Sequence, residues 1–328
     1  MPRPAIRRAL AAVLASTALL SACTGNADDG TDGTGVSATP VVAPDAAATT
    51  ASSAVAAAAS ASLDASAGGA AARDKAFAGV ALESANAYAK TLPGRTAAEK
   101  AEAELATTGV KVLGISREGD KPRQILAQTT LKKTGAAVLV LLVGDDGGSF
   151  KAAAVTPMLP DAKLDALDPT SDGSAAVAEG KGLVASPDDV LAAFAASVKF
   201  PKPTAANVLA ADPLSEQLRQ SANAQSQALK NQGAFTQDHE PKGVIGGLRL
   251  KDGNGAIVFG HLVRHDTIAM RTPVKLTPAK DLTLLTGIKQ ITTEADLTSN
   301  EVVAIVIPAT GQARIVAASD QLVAGSGR

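Results

Sequence analysis

Two uninterrupted aliphatic runs do most to limit how this chain can fold. Val138-Leu139-Val140-Leu141-Leu142-Val143 and Val302-Val303-Ala304-Ile305-Val306-Ile307 each lead, through a glycine-bearing turn, into a second strand-forming run, 150–155 in the first case and 313–318 in the second. Apolar runs of this length bounded by turn residues read as buried strands, and a short turn between two of them reads as an antiparallel hairpin. Further strands are predicted at 110–116 and 123–131 before the first hairpin, and at 244–250, 256–270 and 282–293 before the second. The turn Asp252-Gly253-Asn254-Gly255 lies between two of these, and its Gly and Asn tolerate the positive φ that a tight hairpin needs. Amphipathic helices precede each set. One is predicted over 73–90 with Phe77, Val80, Ala81 and Tyr88 on one face, and Thr96-Ala97-Ala98-Glu99 has the form of a capping box. Ser186-Pro187-Asp188-Asp189 opens a short helix with Leu191, Phe194, Ala195 and Val198 inward. Asp212-Pro213 opens a longer one, to about 230, with Leu214, Leu218, Ala222 and Leu229 inward.

An antiparallel sheet must have one face covered to bury its apolar side, and a helix upstream of each meander supplies the cover. The expected fold is therefore α+β, with two helix-on-curved-antiparallel-sheet units, 73–160 and 206–328, joined by a connection over 161–205 that carries the short helix. The two hairpins match over about twenty residues, which raises an internal duplication.

The N-terminus is built differently. Arg3, Arg7 and Arg8 precede an apolar stretch over 9–20, and Leu20-Ser21-Ala22-Cys23 closes it. This is the architecture of an export signal, too short to span a bilayer. The tetrapeptide resembles a bacterial lipobox, which implies cleavage after residue 22, diacylation of Cys23 and anchoring at the extracytoplasmic face of the cell membrane, with Leu20, Ser21 and Ala22 as the recognised residues. Cys23 is the single cysteine in the chain. Arg7-Arg8 sits in a poor context for the twin-arginine route, so general secretion is expected. Residues 23–72 are almost wholly Ala, Gly, Ser and Thr with scattered Asp, and read as a lipidated, disordered tether.

The helix-then-meander order resembles the cystatin-like group, including nuclear-transport-factor-2-like domains. Over the whole chain the pattern is similar to uncharacterised predicted lipoproteins of actinobacteria. The likeness is carried by the lipobox, Gly79-Val80-Ala81-Leu82-Glu83, Pro122-Arg123-Gln124-Ile125-Leu126-Ala127, Asp212-Pro213-Leu214 and Asp252-Gly253-Asn254-Gly255-Ala256-Ile257-Val258-Phe259, between about 79 and 323. Relatives tend to place Trp where this chain has Phe150. The resemblance implies no catalytic residues.

Composition narrows function by exclusion. With no Trp, one Tyr and six Phe, the chain offers few stacking platforms, and 31 Lys and Arg against 32 Asp and Glu give no basic field, so nucleic acid is excluded as a partner. One Cys and three His exclude a disulfide framework or a His/Cys zinc site of familiar spacing. Lys133-Thr134-Gly135 would suit a penicillin-recognising enzyme, but no Ser-x-x-Lys accompanies it, and it reads as a hairpin turn. His261 and His265 stand four apart in a strand, roughly 13 Å from one another, too far to share an ion. Asp238-His239-Glu240 is expected in a solvated loop and is the one foothold for acid–base chemistry. No catalytic, metal or cofactor residue is nominated. The expected function is a non-catalytic binding or interaction module in the cell envelope, with a possible envelope protein as partner. The alternative is a carrier or sensor of a lipid or small apolar ligand held between a sheet and its helix. An envelope enzyme built on His239 and Glu240 comes third.

Overall fold

A computed structural model of the chain describes residues 39–145, 148–177 and 180–328. The signal residues and Cys23 lie outside them. The elements run α1 (Pro44–Ser62), α2 (Gly69–Ala76), α3 (Gly79–Thr91), α4 (Ala97–Ala103), β1 (Lys111–Ile115), β2 (Arg123–Thr130), β3 (Ala137–Gly144), β4 (Phe150–Pro157), α5 (Pro187–Val198), α6 (Pro213–Leu229), β5 (Gly233–Arg249), β6 (Gly255–Met270), α7 (Lys280–Thr286), β7 (Glu294–Pro308) and β8 (Arg314–Gly327). The fold is α+β: two four-stranded antiparallel meanders, β1-β2-β3-β4 and β5-β6-β7-β8, with helices on them.

Side-chain alternation along the strands sorts the core into layers. Ile125, Ala127, Val138, Val140 and Leu142 face α1, α2 and α3. Their neighbours Leu126, Leu139 and Leu141 face the other way, onto Leu248, Ile257, Phe259, Val302, Ala304 and Val306 of the second sheet. The far side of that sheet, through Val258, Leu262, Val303 and Ile305, is covered by α5. The order is helix, sheet, sheet, helix. Two helix-on-sheet units imply a core for each half, whereas the inter-sheet core belongs to both, and the described residues from 39 onward form one compact unit. The stretch 161–185 also departs from a plain connection. It bridges β1 through Ser116 and Ser174, and the end of β5 through Ala176 and Leu248, while Met158 pairs with Ala317 at the opposite edge. Single bridges thus tie chain segments to the edges of the sandwich at these points.

The N-terminal boundary moves as well. Of the expected tether, 44–62 is helical and 69–72 forms the start of α2, and Ala47, Ala51, Ala54, Val55 and Ala58 lie buried against the first sheet. The physical reason is that an alanine stripe on a background of Ala, Ser and Thr scarcely differs in hydropathy from the opposite face. Small side chains nonetheless let a helix lie close to a sheet, and alanine has the best helix propensity. The predicted helix over 73–90 breaks at Phe77, which turns extended and bridges Ala152, its ring entering the core. Elsewhere the caps stand as read: Thr96 with Glu99 as a reciprocal capping box, Ser186 accepting from the Asp189 amide, and Asp212 accepting from the Ser215 amide.

The two sheets repeat one another in detail. Ala153 in β4 and Val316 in β8 are extra residues at matching bulges, after the pairs Leu141–Ala154 and Ala304–Ala317. Leu113 and Ile245 are extra in β1 and β5, beside the pairs Gly114–Leu126 and Gly246–Phe259. Leu126 pairs with Leu141 and Phe259 with Ala304, so equivalent rows cross both sheets. This register makes Val138 the equivalent of Glu301, one residue away from the match read in the sequence. Gly114 and Gly246 leave no room for a side chain between the layers. A Cβ on Gly114 would lie 2.6 Å from Leu167 Cδ2 and 3.0 Å from Leu248 Cδ1, and one on Gly246 would lie 2.6 Å from Gln124 Oε1.

The sheets differ in length. Strands of the second have 14 to 17 residues against at most 8 in the first, so the second sheet overhangs the sandwich. Two expectations change there. The predicted strand over 282–293 is α7 followed by irregular chain, with Leu282 and Ile291 packed on Ala295. The predicted strand at 244–250 begins instead at Gly233, which puts Asp238-His239-Glu240 inside a strand rather than a loop. Pro241, which follows directly, is accommodated because β5 is an edge strand with a bulge between Pro241 and Gly243.

Candidate functional site

The overhang of the second sheet is roofed by α6, and between them lies a cavity of about 910 Å³. Volumes of this order hold small ligands. Helix α6 rests on a narrow seam, being buried only at Ser215, Ala222 and Leu229, spaced seven apart. Leu218, Ala222, Leu229, Phe235, Ile268 and Leu297 give the cavity apolar walls, and Leu276, Leu282 and Ile291 of the chain around α7 close one end.

Its floor is charged. Arg264 of β6 reaches three carboxylates: Nε lies 3.1 Å from Asp266 Oδ2, Nη1 3.1 Å from Glu301 Oε1, and Nη2 3.0 Å from Asp320 Oδ2. His239 Nδ1 lies 2.6 Å from Glu301 Oε2. A carboxylate only accepts, so Nδ1 carries the proton and donates. Gln237 Nε2 donates to Asp266 Oδ1 at 2.9 Å. Two polar atoms are left over in this buried group, Gln237 Oε1 and His239 Nε2, neither with a hydrogen-bond partner. Gln237 is 6% exposed and lines the cavity; His239 is 3% exposed and meets the ring of Phe194 edge-on.

Burial works against the charge on Arg264, and Asp320, Asp266 and Glu301 outweigh it, holding its pKa above the usual arginine value. The Asp320 carboxyl is raised from its ordinary value, first by burial and further by Glu301 and Asp266, with Arg264 opposing. About half of the Asp320 side chain is accessible, and it borders the cavity.

The fold itself does not demand these charges. By the shared register of the two sheets, Glu301 stands where the first sheet has Val138, and Arg264, opposite Ser299, where the first has Leu131, whose amide bonds to Ala136. The first sheet closes these same places with aliphatic side chains under its helices. Charged residues cost more to bury than Leu or Val, so their presence at only one of two equivalent places points to use rather than packing.

Residues 38–327 match the profile of a family described as a domain of unknown function, DUF8094. The chain belongs to that family. No curated protein and no solved structure matches it. For this DUF8094 chain the comparison agrees with the sequence-level resemblance to a family without assigned activity, and the matched span takes in α1 and the start of α2, which the sequence reading had left in the tether.

Within the DUF8094 domain the residues singled out in the sequence fall as follows. Strand alternation divides Asp238-His239-Glu240, with His239 inward and both acids outward, Asp238 toward Lys199 and Glu240 toward Lys242. His261 and His265 are in β6, as read. His261 Nε2 is 3.3 Å from Asn300 Oδ1 and His265 Nε2 is 3.8 Å from Glu240 Oε2, so they share no partner among the described residues. Lys133-Thr134-Gly135 is the β2–β3 turn. Leu20, Ser21, Ala22 and Cys23 lie outside the described residues. Among the described residues no cluster of His, Cys, Asp and Glu could hold a metal ion, and no helix is long and apolar enough to cross a membrane. Sequence reading missed Gln237, Arg264, Asp266, Glu301 and Asp320. The available signal was in β6, where 264 and 266 continue the even positions that begin with core residues Ala256, Val258 and Leu262.

Proposed function

We propose that this DUF8094 protein is an exported lipoprotein of the actinobacterial type, anchored through Cys23 at the extracytoplasmic face of the cell membrane, and that its folded unit is a non-catalytic binding module for a small, largely apolar ligand. The observation that carries the ligand is the roofed cavity, apolar on its walls and polar on its floor, under a helix held by a thin seam. Pockets that bind small molecules combine apolar walls with a few placed polar groups in this way. The anchor rests on the lipobox tetrapeptide and on the absence of any second cysteine. The non-catalytic part is supported by His239, whose ring is enclosed and tied to Glu301, and by the outward direction of its acidic neighbours. An interaction module docking by strand addition is less favoured where chain segments bridge the edges of the sandwich, at Ser116, Leu248, Gln237, Ala313 and Ala317.

Native mass spectrometry of the full chain, purified gently from its own host, tests the ligand. A stoichiometric adduct is expected that organic solvent removes while acyl chains on Cys23 stay attached. A mass with acyl chains alone, and an empty solvent extract, would count against the reading. For the anchor, Cys23→Ala is expected to move the protein from the membrane to the soluble fraction. Retention of that variant on membranes after a carbonate wash would contradict it.

A further inference from the structure

Resting on the binding-module reading, we infer that the cavity selects amphiphiles headed by a protonated amine, with the ammonium on the Asp320 and Gln237 side of the floor and the chain along α6. The argument begins with charge. One guanidinium faces three carboxylates, so the floor carries an excess of two negative charges with His239 neutral and of one with His239 protonated. Arg264 is no anion site, because its Nε, Nη1 and Nη2 groups are each already directed at a carboxylate. A fatty acid would bring a fourth carboxylate to a single cation inside a low-dielectric space, where like charges repel strongly.

Hydrogen-bond capacity points the same way. Gln237 has spent its amide N–H on Asp266, leaving a buried carbonyl oxygen that can only accept. Asp320 uses Oδ2 on Arg264, and Oδ1 has no partner among the described residues. Both unspent groups border the cavity and both are acceptors. An unpaired buried acceptor costs roughly 1–3 kcal/mol, which a ligand N–H would recover. Lysine-like ammonium carries three donors and no acceptor, the complement of this floor. The raised Asp320 carboxyl is consistent: Arg264 is divided among three carboxylates, and a second cation would supply what Asp320 lacks.

The test uses full-length Cys23→Ala protein, stripped of bound material on a hydrophobic resin, in calorimetric titrations with dodecylammonium, dodecanol and dodecanoate at equal chain length. Dodecylammonium should bind at least about tenfold more tightly than dodecanol, with dodecanoate weakest, the gain expected of one charge-assisted hydrogen bond. Asp320→Asn should bring the amine to within about threefold of the alcohol and leave dodecanol unchanged, and Asp320→Glu should restore the preference. Equal or tighter binding of dodecanoate would overturn the amine assignment while leaving the cavity as a binding site. Failure of all three probes to bind would overturn the binding-module reading, and the amine assignment with it.

Discussion

Glu301 holds two neighbours at once, accepting from His239 through one oxygen and from Arg264 through the other. Removing it leaves the imidazole N–H unpaired and takes one of the three counter-charges from Arg264, in a place 5% exposed. Breaking a buried charged pair from one side costs about 3–5 kcal/mol, because the surviving partner stays desolvated. Glu301→Ala should therefore lower stability by roughly 3 kcal/mol in urea denaturation, with an unchanged m-value if the fold is kept. Val at the same position should recover much of the loss only when His239 and Arg264 are also made apolar, since the first sheet shows that this place accepts Val138.

At the scale of elements, the helices differ in what holds them. The stripe of α1 buries Ala47, Ala51, Val55 and Ala58 completely, so its contribution is packing. Val55→Asp puts an unpaired carboxylate into that seam and should cost several kcal/mol, at least about 3, by thermal or urea denaturation. If 44–62 were an unattached tether, the same change would be silent. Helix α4 is held by its cap and by Lys280 of α7, whose ammonium lies 2.7 Å from Glu99 Oε2. The Lys280 contact, with the Thr96 backbone and side-chain bonds, lowers the Glu99 carboxyl to about 2. A depressed folded-state pKa adds stability above the unfolded value and loses it as pH falls. The Glu99 contribution is thus full above pH 4.5 and gone below about 2. Melting temperatures between pH 5 and 2 should fall less steeply in Glu99→Gln than in the parent.

The molecule as a whole is a sandwich whose middle layer neither half owns. Leu126, Leu139 and Leu141 from the first sheet and Leu248, Phe259 and Val306 from the second are all buried against one another. Expressed separately, 39–160 and 161–328 should each expose that face, bind a hydrophobic dye and aggregate, while mixing the two during refolding should restore a single cooperative transition. The matched bulges and paired glycines keep the two sheets congruent at the sandwich, and only the second continues beyond it. The cavity lies on the helix-covered face of that longer sheet, where α6 touches it only along its thin seam.

Much of this was legible in local sequence. The strands 111–115, 123–130, 137–144 and 150–157, the caps at Thr96, Ser186 and Asp212, and the α+β class follow from periodicity and turn chemistry, which act over a few residues. The seam of α1 was not, because alanine writes almost no contrast into hydropathy. Nor was the floor of the cavity. Gln237, Arg264, Asp266, Glu301 and Asp320 come from four strands and up to 83 positions apart, and each looks like an ordinary polar residue until strand register sets them side by side. Local propensity decided which segments became strands and helices. Long-range packing alone decided which polar side chains were turned inward, since facing is a property of two elements in contact and not of either one.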